Sequence, residues 1–192
     1  VYGTVLPWTG DKERDGMEAA LARQEPEWRQ LAIAHAARCC VAGDFNVNLG
    51  GPHYYGSNAS KAAVAAALTR AGLGAATSFA DTQPHRPDYG LVDHIALSTA
   101  LLPDTHVSCV WGPKDDAGRT RSDHHGVAVD IAFDDPSRTL HAVKALRADG
   151  FEVDDVHTPY AVHGMDEALG LPATRLGFAT LAGGLLGARE AG

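Results

Sequence analysis

Cysteine is scarce in this chain and badly placed for cross-linking: of three residues, Cys39 and Cys40 are adjacent and Cys109 stands alone. An odd, unpaired set excludes a disulfide scaffold. The three read as small buried hydrophobes in a reducing, cytoplasmic compartment, with no part in metal ligation. Basic side chains are also few, 16 lysines and arginines against 24 aspartates and glutamates, for a net charge of −8. A protein that grips long duplexes needs a basic face to displace condensed counterions, and the cations here are scattered. A bilayer-length apolar run is missing too, since Leu176 to Ala188 falls short of the roughly 20 residues that a span requires. The amino terminus has neither a basic region nor a cleavable apolar stretch, so no secretory signal is read there. The sequence has no initiator methionine, opens directly in a strand-like segment and stops inside an apolar run, as a fragment would. At 192 residues it has length for one good core or two small ones.

What stands out instead is a set of three short polar clusters, each beside an apolar run: Gly43-Asp44-Phe45-Asn46, Val92-Asp93-His94-Ile95 and Ser122-Asp123-His124. Cys40 to Ala42, Leu91-Val92 and Gly126 to Phe133 are β-type segments, which puts the clusters at strand edges. Taken singly, each has the composition of an ordinary turn. Taken together they supply what breaking a phosphodiester needs: carboxylates for a hard cation, a base to position water, and donors for the charged oxygens. A carboxylate on one imidazole nitrogen fixes the tautomer and favours the cationic ring beside a phosphate, a role that suits Asp93 toward His124. His125, next to His124 on a strand, is expected to point to the opposite face as a bystander. Arg119 and Arg121, grouped just before Ser122, either steer a phosphate or are solvated surface. The acidic balance favours a small or single phosphoester over non-specific DNA.

Between the clusters, Gly10 to Gly16 reads as a charged turn and Met17 towards Ala37 as helical. Pro26 is expected to divide that stretch into two helices or to begin the second, with Trp28, Leu31 and Ile33 packing inward. Gly50 to Asn58 is a loop whose Tyr54 and Tyr55 either pack it down or form a substrate wall. Ser60 to Ala71 is an alanine-rich helix closed by Gly72, and Thr77 to Asp88 is a polar loop. Leu101 to Trp111 carries a strand, and Gly112 to Thr120 is a charged loop.

On these motifs residues 1–131 resemble the endonuclease/exonuclease/phosphatase superfamily. The resemblance implies an α/β fold, a partial DNase I-like α/β sandwich, and a magnesium-dependent phosphodiesterase or phosphatase in which manganese is an alternative ion. Asp44 then orients or deprotonates the attacking water, Asn46 contacts the scissile phosphate, Asp123 lies at the metal, His124 bonds the phosphate and moves a proton, and Asp93 orients His124. The substrate would be a phosphoester, small molecule or nucleic acid. Departures accompany the matches: Val5 stands where many members carry a histidine, and Glu13, Glu18, Glu25 and Glu27 do not match the family's metal glutamate.

The character changes near Asp134-Asp135-Pro136. Asp135 can cap and Pro136 can open a helix with apolar positions Leu140, Val143 and Leu146, ended by Gly150, and Phe151, Val153 and Val156 read as a strand against which that helix packs. The domain division is therefore 1–133 and 134–192, the second a small strand-helix-strand tail. Thr158-Pro159-Tyr160-Ala161-Val162-His163-Gly164 and Ala182-Gly183-Gly184-Leu185-Leu186-Gly187 give residues 132–188 a resemblance to the small membrane-associated subunit of bacterial alternative complex III quinol oxidoreductases. His157 and His163 read as surface or packing residues. Besides a hydrolase, the sequence leaves open a catalytically incomplete remnant and a fragment of a membrane quinol oxidoreductase subunit with a non-catalytic role, membrane contact coming through the tail alone.

Overall fold

The computed structural model describes residues 1–8, 16–35, 38–85, 90–133, 135–153, 156–158 and 160–171. The turn expected at 10–15, Glu13, the end of the 77–88 loop, Asp134, Pro159 and the glycine-rich run from Leu176 lie outside the described residues. The chain is α/β and divides into two units, Val1–Ala132 and Phe133–Gly192.

The first unit runs β1 (Tyr2–Val5), α1 (Met17–Ala34), β2 (Cys40–Asp44), α2 (Asn58–Arg70), β3 (Leu73–Ala75), α3 (Phe79–Thr82), β4 (Asp93–Ser98), a 3-10 turn (Leu102–Asp104), β5 (Thr105–Trp111) and β6 (Gly126–Ile131). One sheet has the order β1-β2-β4-β3, with β1 parallel to β2 and the other neighbours antiparallel; β5 and β6 form a second, antiparallel sheet. Side chains alternate across a strand, and this decides what faces what. Val41 pairs with Ala96 and Gly43 with His94 on the face that packs against α1 and α2, whereas Asp44 pairs with Asp93 on the opposite face. The helix-side core holds Ala20, Leu21 and Trp28 of α1, Val64, Ala67 and Leu68 of α2, and Phe45, Val47 and Leu49 from the segment after β2. A row of rings crosses it, Tyr2 to Trp28 at 6.4 Å, Trp28 to Phe45 at 6.3 Å and Phe45 to His94 at 5.6 Å.

Several expectations need correcting. Pro26 neither divides nor starts a helix: α1 is continuous through it. Leu21, Glu25 and Trp28 are buried on one stripe at helical spacing, while Ala22 and Pro26 are exposed, so the carbonyl that loses its donor at Pro26 faces water. Ile33 is 75 % exposed, because five residues past Trp28 at about 100° each carry it some 140° around the helix. Glu25 is tied to Arg29 at 2.7 Å and to Arg70 of α2 at 2.8 Å, joining the two helices, and the Arg70 hydrogen bond holds its carboxyl below the ordinary range against the opposing effect of burial. The loop expected from Thr77 contains α3, whose Ser78 and Asp81 form a reciprocal capping box. The three residues of β3 carry no readable period in the sequence; pairing with β4, Leu73 opposite Ser98, makes them a strand.

In the second unit α4 (Pro136–Ala148) begins where expected, with the Asp135 carboxylate accepting from Ser137 N at 2.8 Å. Among the described residues there is no strand at Phe151 to Val156, which corrects the strand-helix-strand expectation. Gly150 takes φ 86°, its N–H reaches Arg147 O and the Phe151 N–H reaches Leu146 O, each at 3.0 Å. This is a Schellman stop, and it commits the Phe151 amide to the helix end. Val143 is buried not against Phe151 and Val153 but against Met165 and Ala168 of α5 (Met165–Leu169), with Leu140, Val156, Val162 and Leu169 around them. Leu146 and Phe151 are each 44 % exposed. No helix of the described residues is long and apolar enough to cross a membrane.

Candidate functional site

Asp44 ends β2 and Asp93 begins β4, and the antiparallel register sets them opposite each other on the face away from the helices. Gly43 makes the first of these placements possible. Its φ is +145°, and a Cβ there would overlap the Thr4 carbonyl of β1, so only glycine lets β1 and β2 close beside the site. Asn46, a non-glycine residue at φ 50°, turns the chain sharply back. Its backbone N–H donates to Asp44 Oδ1 at 2.8 Å, and its side-chain amide donates to Asp44 Oδ2 at 2.7 Å and to Leu6 O at 2.9 Å. Both amide hydrogens are thereby engaged, so Asn46 fixes the Asp44 carboxylate here and does not present a donor to a phosphate as the resemblance implied.

His124 arrives just before β6, with its N–H on Ser122 Oγ at 3.0 Å. Its ring Nδ1 lies 2.6 Å from Asp93 Oδ2, although 31 positions separate the two residues. A carboxylate can only accept, so Nδ1 carries the hydrogen and Nε2 is left for other partners. The hydrogen bond to Asp93 pushes the His124 pKa above its ordinary value, with the charges of Asp93, Asp44 and Asp123 adding to it and partial burial opposing. Asp93 is also raised: burial outweighs the lowering by His124, and the nearby Asp44 and Asp123 charges push the same way as burial.

A cleft of about 570 Å³ is lined by Asp44, Asn46, Asp93, Asp123 and His124, together with Val5, Leu6, Trp8, Tyr54, Tyr55, residues 90–92 and His125. The five residues singled out in the sequence thus share one cleft. Asp123 stands apart within it: its side chain is 96 % exposed and its Oδ1 is 4.0 Å from His124 Nε2. His125 corrects the bystander expectation, because the Ser122-to-His125 segment precedes β6 and does not alternate like a strand. Arg119 and Arg121 are held by Asp115, at 2.9 Å and 2.8 Å, in the loop between β5 and β6. Val5 is paired with Asp44 and lines the cleft.

A magnesium ion centred on Asp123 is not favoured by the donors present. Among the described residues the group whose ligand atoms come within 4.8 Å of one another is Asp44, Asp93 and His124. Asp44 and Asp93 would supply the one or two carboxylates that magnesium takes beside water and phosphate oxygens, with Asp93 Oδ2 shared with His124 and Asp123 outside the group.

Two further residues sit behind this site, neither given a role by the sequence. Asn48 is fully buried; its amide donates to Gly50 O and Pro52 O and its oxygen accepts from Tyr54 N and Tyr55 N. His94, 1 % exposed, has Nε2 at 3.0 Å from Val47 O and Nδ1 at 3.2 Å from Thr77 Oγ1, which itself accepts from Ile95 N. Burial pushes the His94 pKa down; Nδ1 also lies 3.1 Å from Thr77 O, so the neutral ring, which carries a single N–H, donates to one of the Val47 and Thr77 carbonyls at a time. A histidine directly after Asp93 in a strand was a signal for this, since alternation had to send it to the core face.

Residues 128–191, one third of the chain, match the family described as Alternative complex III, ActD subunit. The match begins inside β6 and runs through α4 and α5. No curated protein gives a match to the chain. For residues 1–127 these comparisons supply no family.

Proposed function

We propose that the first unit carries a phosphoester-hydrolase site whose acid–base element is the Asp93–His124 pair. The observation that supports this reading is the 2.6 Å contact from Nδ1 to a carboxylate beside a second, separately clamped carboxylate at Asp44. In it, Asp93 holds the ring and stabilises the imidazolium, so Nε2–H can donate to a phosphoryl oxygen or to the leaving oxygen. Asp44, held by Asn46 through both oxygens, is the base for an attacking water. Asp44 and Asp93 would hold a magnesium ion, which would polarise the phosphoryl oxygens when bound; no step is assigned to that ion. The test is turnover of bis(4-nitrophenyl) phosphate by the whole chain with magnesium, with manganese and with chelator, alongside His124→Ala and Asp44→Asn. A loss of about 100-fold or more in each variant is expected for acid–base groups. Turnover unchanged by His124→Ala would remove the reading.

A second reading is favoured by the family match, and the comparisons support it where they do not support the first. In it, residues 128–191 serve as part of a subunit of an alternative complex III, with a non-catalytic role, and the cleft is incidental. The tagged chain should then migrate with such a complex on native gels, and removal of residues 133–192 should abolish that migration. Migration of the chain by itself in both forms counts against this role.

A further inference from the structure

We propose that Tyr54 and Tyr55 form an aromatic wall that selects phosphoesters bearing a flat aromatic group beside the phosphate, an inference that rests on reading the cleft as a phosphoester site. The sequence left two uses for these rings, packing the loop or lining a substrate. The structure gives the packing task to Asn48. Its buried amide makes four hydrogen bonds, to Gly50 O, Pro52 O, Tyr54 N and Tyr55 N, at 2.8–3.1 Å. Gly50, Gly51 and Gly56, all at φ of 66–79°, allow the chain to curl around it. The rings themselves line the cleft that holds Asp44, Asp93 and His124. They lie 6.5 Å apart with planes at 51°, and Tyr54 is 47 % exposed. Trp8, 52 % exposed, lines the same cleft.

Such a wall offers large apolar area at little conformational cost, because a tyrosine has few rotatable bonds and this backbone is already fixed. Stacking on it is tolerant of ring chemistry but not of its absence. Asn48 follows Asn46 by two residues, so one short segment positions both the wall and the Asp44 carboxylate. A ring in the alcohol part of a phosphoester could therefore rest on Tyr54 and Tyr55 while its phosphate meets His124.

Calorimetric titration of the whole chain with diphenyl phosphate and with diethyl phosphate tests this. The aromatic diester should bind about tenfold or more tightly. Tyr54→Ala and Asn48→Ala should bring the two affinities together, and Tyr54→Phe should retain the preference. Equal affinities in the wild type, including no measurable binding of either, overturn the proposal, as does a preference that survives Tyr54→Ala. The hydrolysis reading is tested separately: an aromatic preference in binding without His124-dependent turnover would refute the phosphoesterase and leave an aromatic-anion cleft.

Discussion

Replacing Gly43 by alanine should cost the first unit about 3 kcal/mol or more, and the figure follows from two terms. At φ +145° an L-residue carries backbone strain of about 1–3 kcal/mol. The added methyl also overlaps the Thr4 carbonyl directly across the parallel β1–β2 ladder, and backbone atoms on both sides cannot swing away as a side chain would. Relief requires β1 to shift, weakening contacts such as Leu6 N to Asp44 O at 2.8 Å and Asn46 Nδ2 to Leu6 O at 2.9 Å, each worth about 1 kcal/mol net. Gly3 is the internal control. It lies on the neighbouring strand β1, beside Thr4, a Cβ there meets nothing within 4 Å, and its replacement by alanine should be neutral or stabilising by about 0.5–1 kcal/mol. Urea unfolding followed by tryptophan fluorescence reports this unit specifically, since the three tryptophans are Trp8, Trp28 and Trp111. A Gly43→Ala loss below about 1 kcal/mol, or equal effects at the two glycines, would refute the argument from close strand approach.

Asn48→Ala leaves four loop groups without their partner and should destabilise the unit by about 3 kcal/mol; Asn48→Asp, which keeps the acceptor for Tyr54 and Tyr55, should lose less in the same urea assay. Since His94 is buried neutral with its pKa depressed, its contribution is present above the unfolded value of 6.5 and is lost as pH falls through the folded value. Stability below pH 6.5 should therefore fall with a slope of up to about 1.4 kcal/mol per pH unit, and His94→Gln should flatten that part of a pH series of urea melts. His124 has the opposite sign: its pKa is raised by Asp93, so its contribution is complete below 6.5 and is lost as pH rises through the raised value. A proton NMR titration should place the His124 midpoint above 6.5, and Asp93→Asn should bring it down.

The residues of the candidate cleft were readable from the sequence by type, and their geometry only in part. Asp44, Asp93 and His124 announce themselves because short polar residues at the edges of apolar runs fall at strand ends. The register that puts Asp44 opposite Asp93 cannot be read, because it depends on which of several strands become neighbours. Asn46 shows the limit well: its type suits a phosphate donor, yet the left-handed turn at φ 50° brings its amide onto Asp44 instead. Arg119 and Arg121 are a similar case, since Asp115, on the same loop, captures both.

By itself the sequence determined the features that local chemistry controls: the α/β character, the caps at Asp135 and Gly72, and the start of α4. These depend on backbone preferences and strand alternation, which act over a few residues. Tertiary structure decided whatever required distant segments to meet. It kept α1 continuous through Pro26 by burying one stripe and leaving the other in water, made Leu73–Ala75 a strand by pairing it with β4, and covered Val143 with α5 in place of a strand at Phe151. It also gave Asn48 the loop-holding task and set Tyr54 and Tyr55 along the cleft, because a buried amide binds backbone groups only after the chain has curled around it.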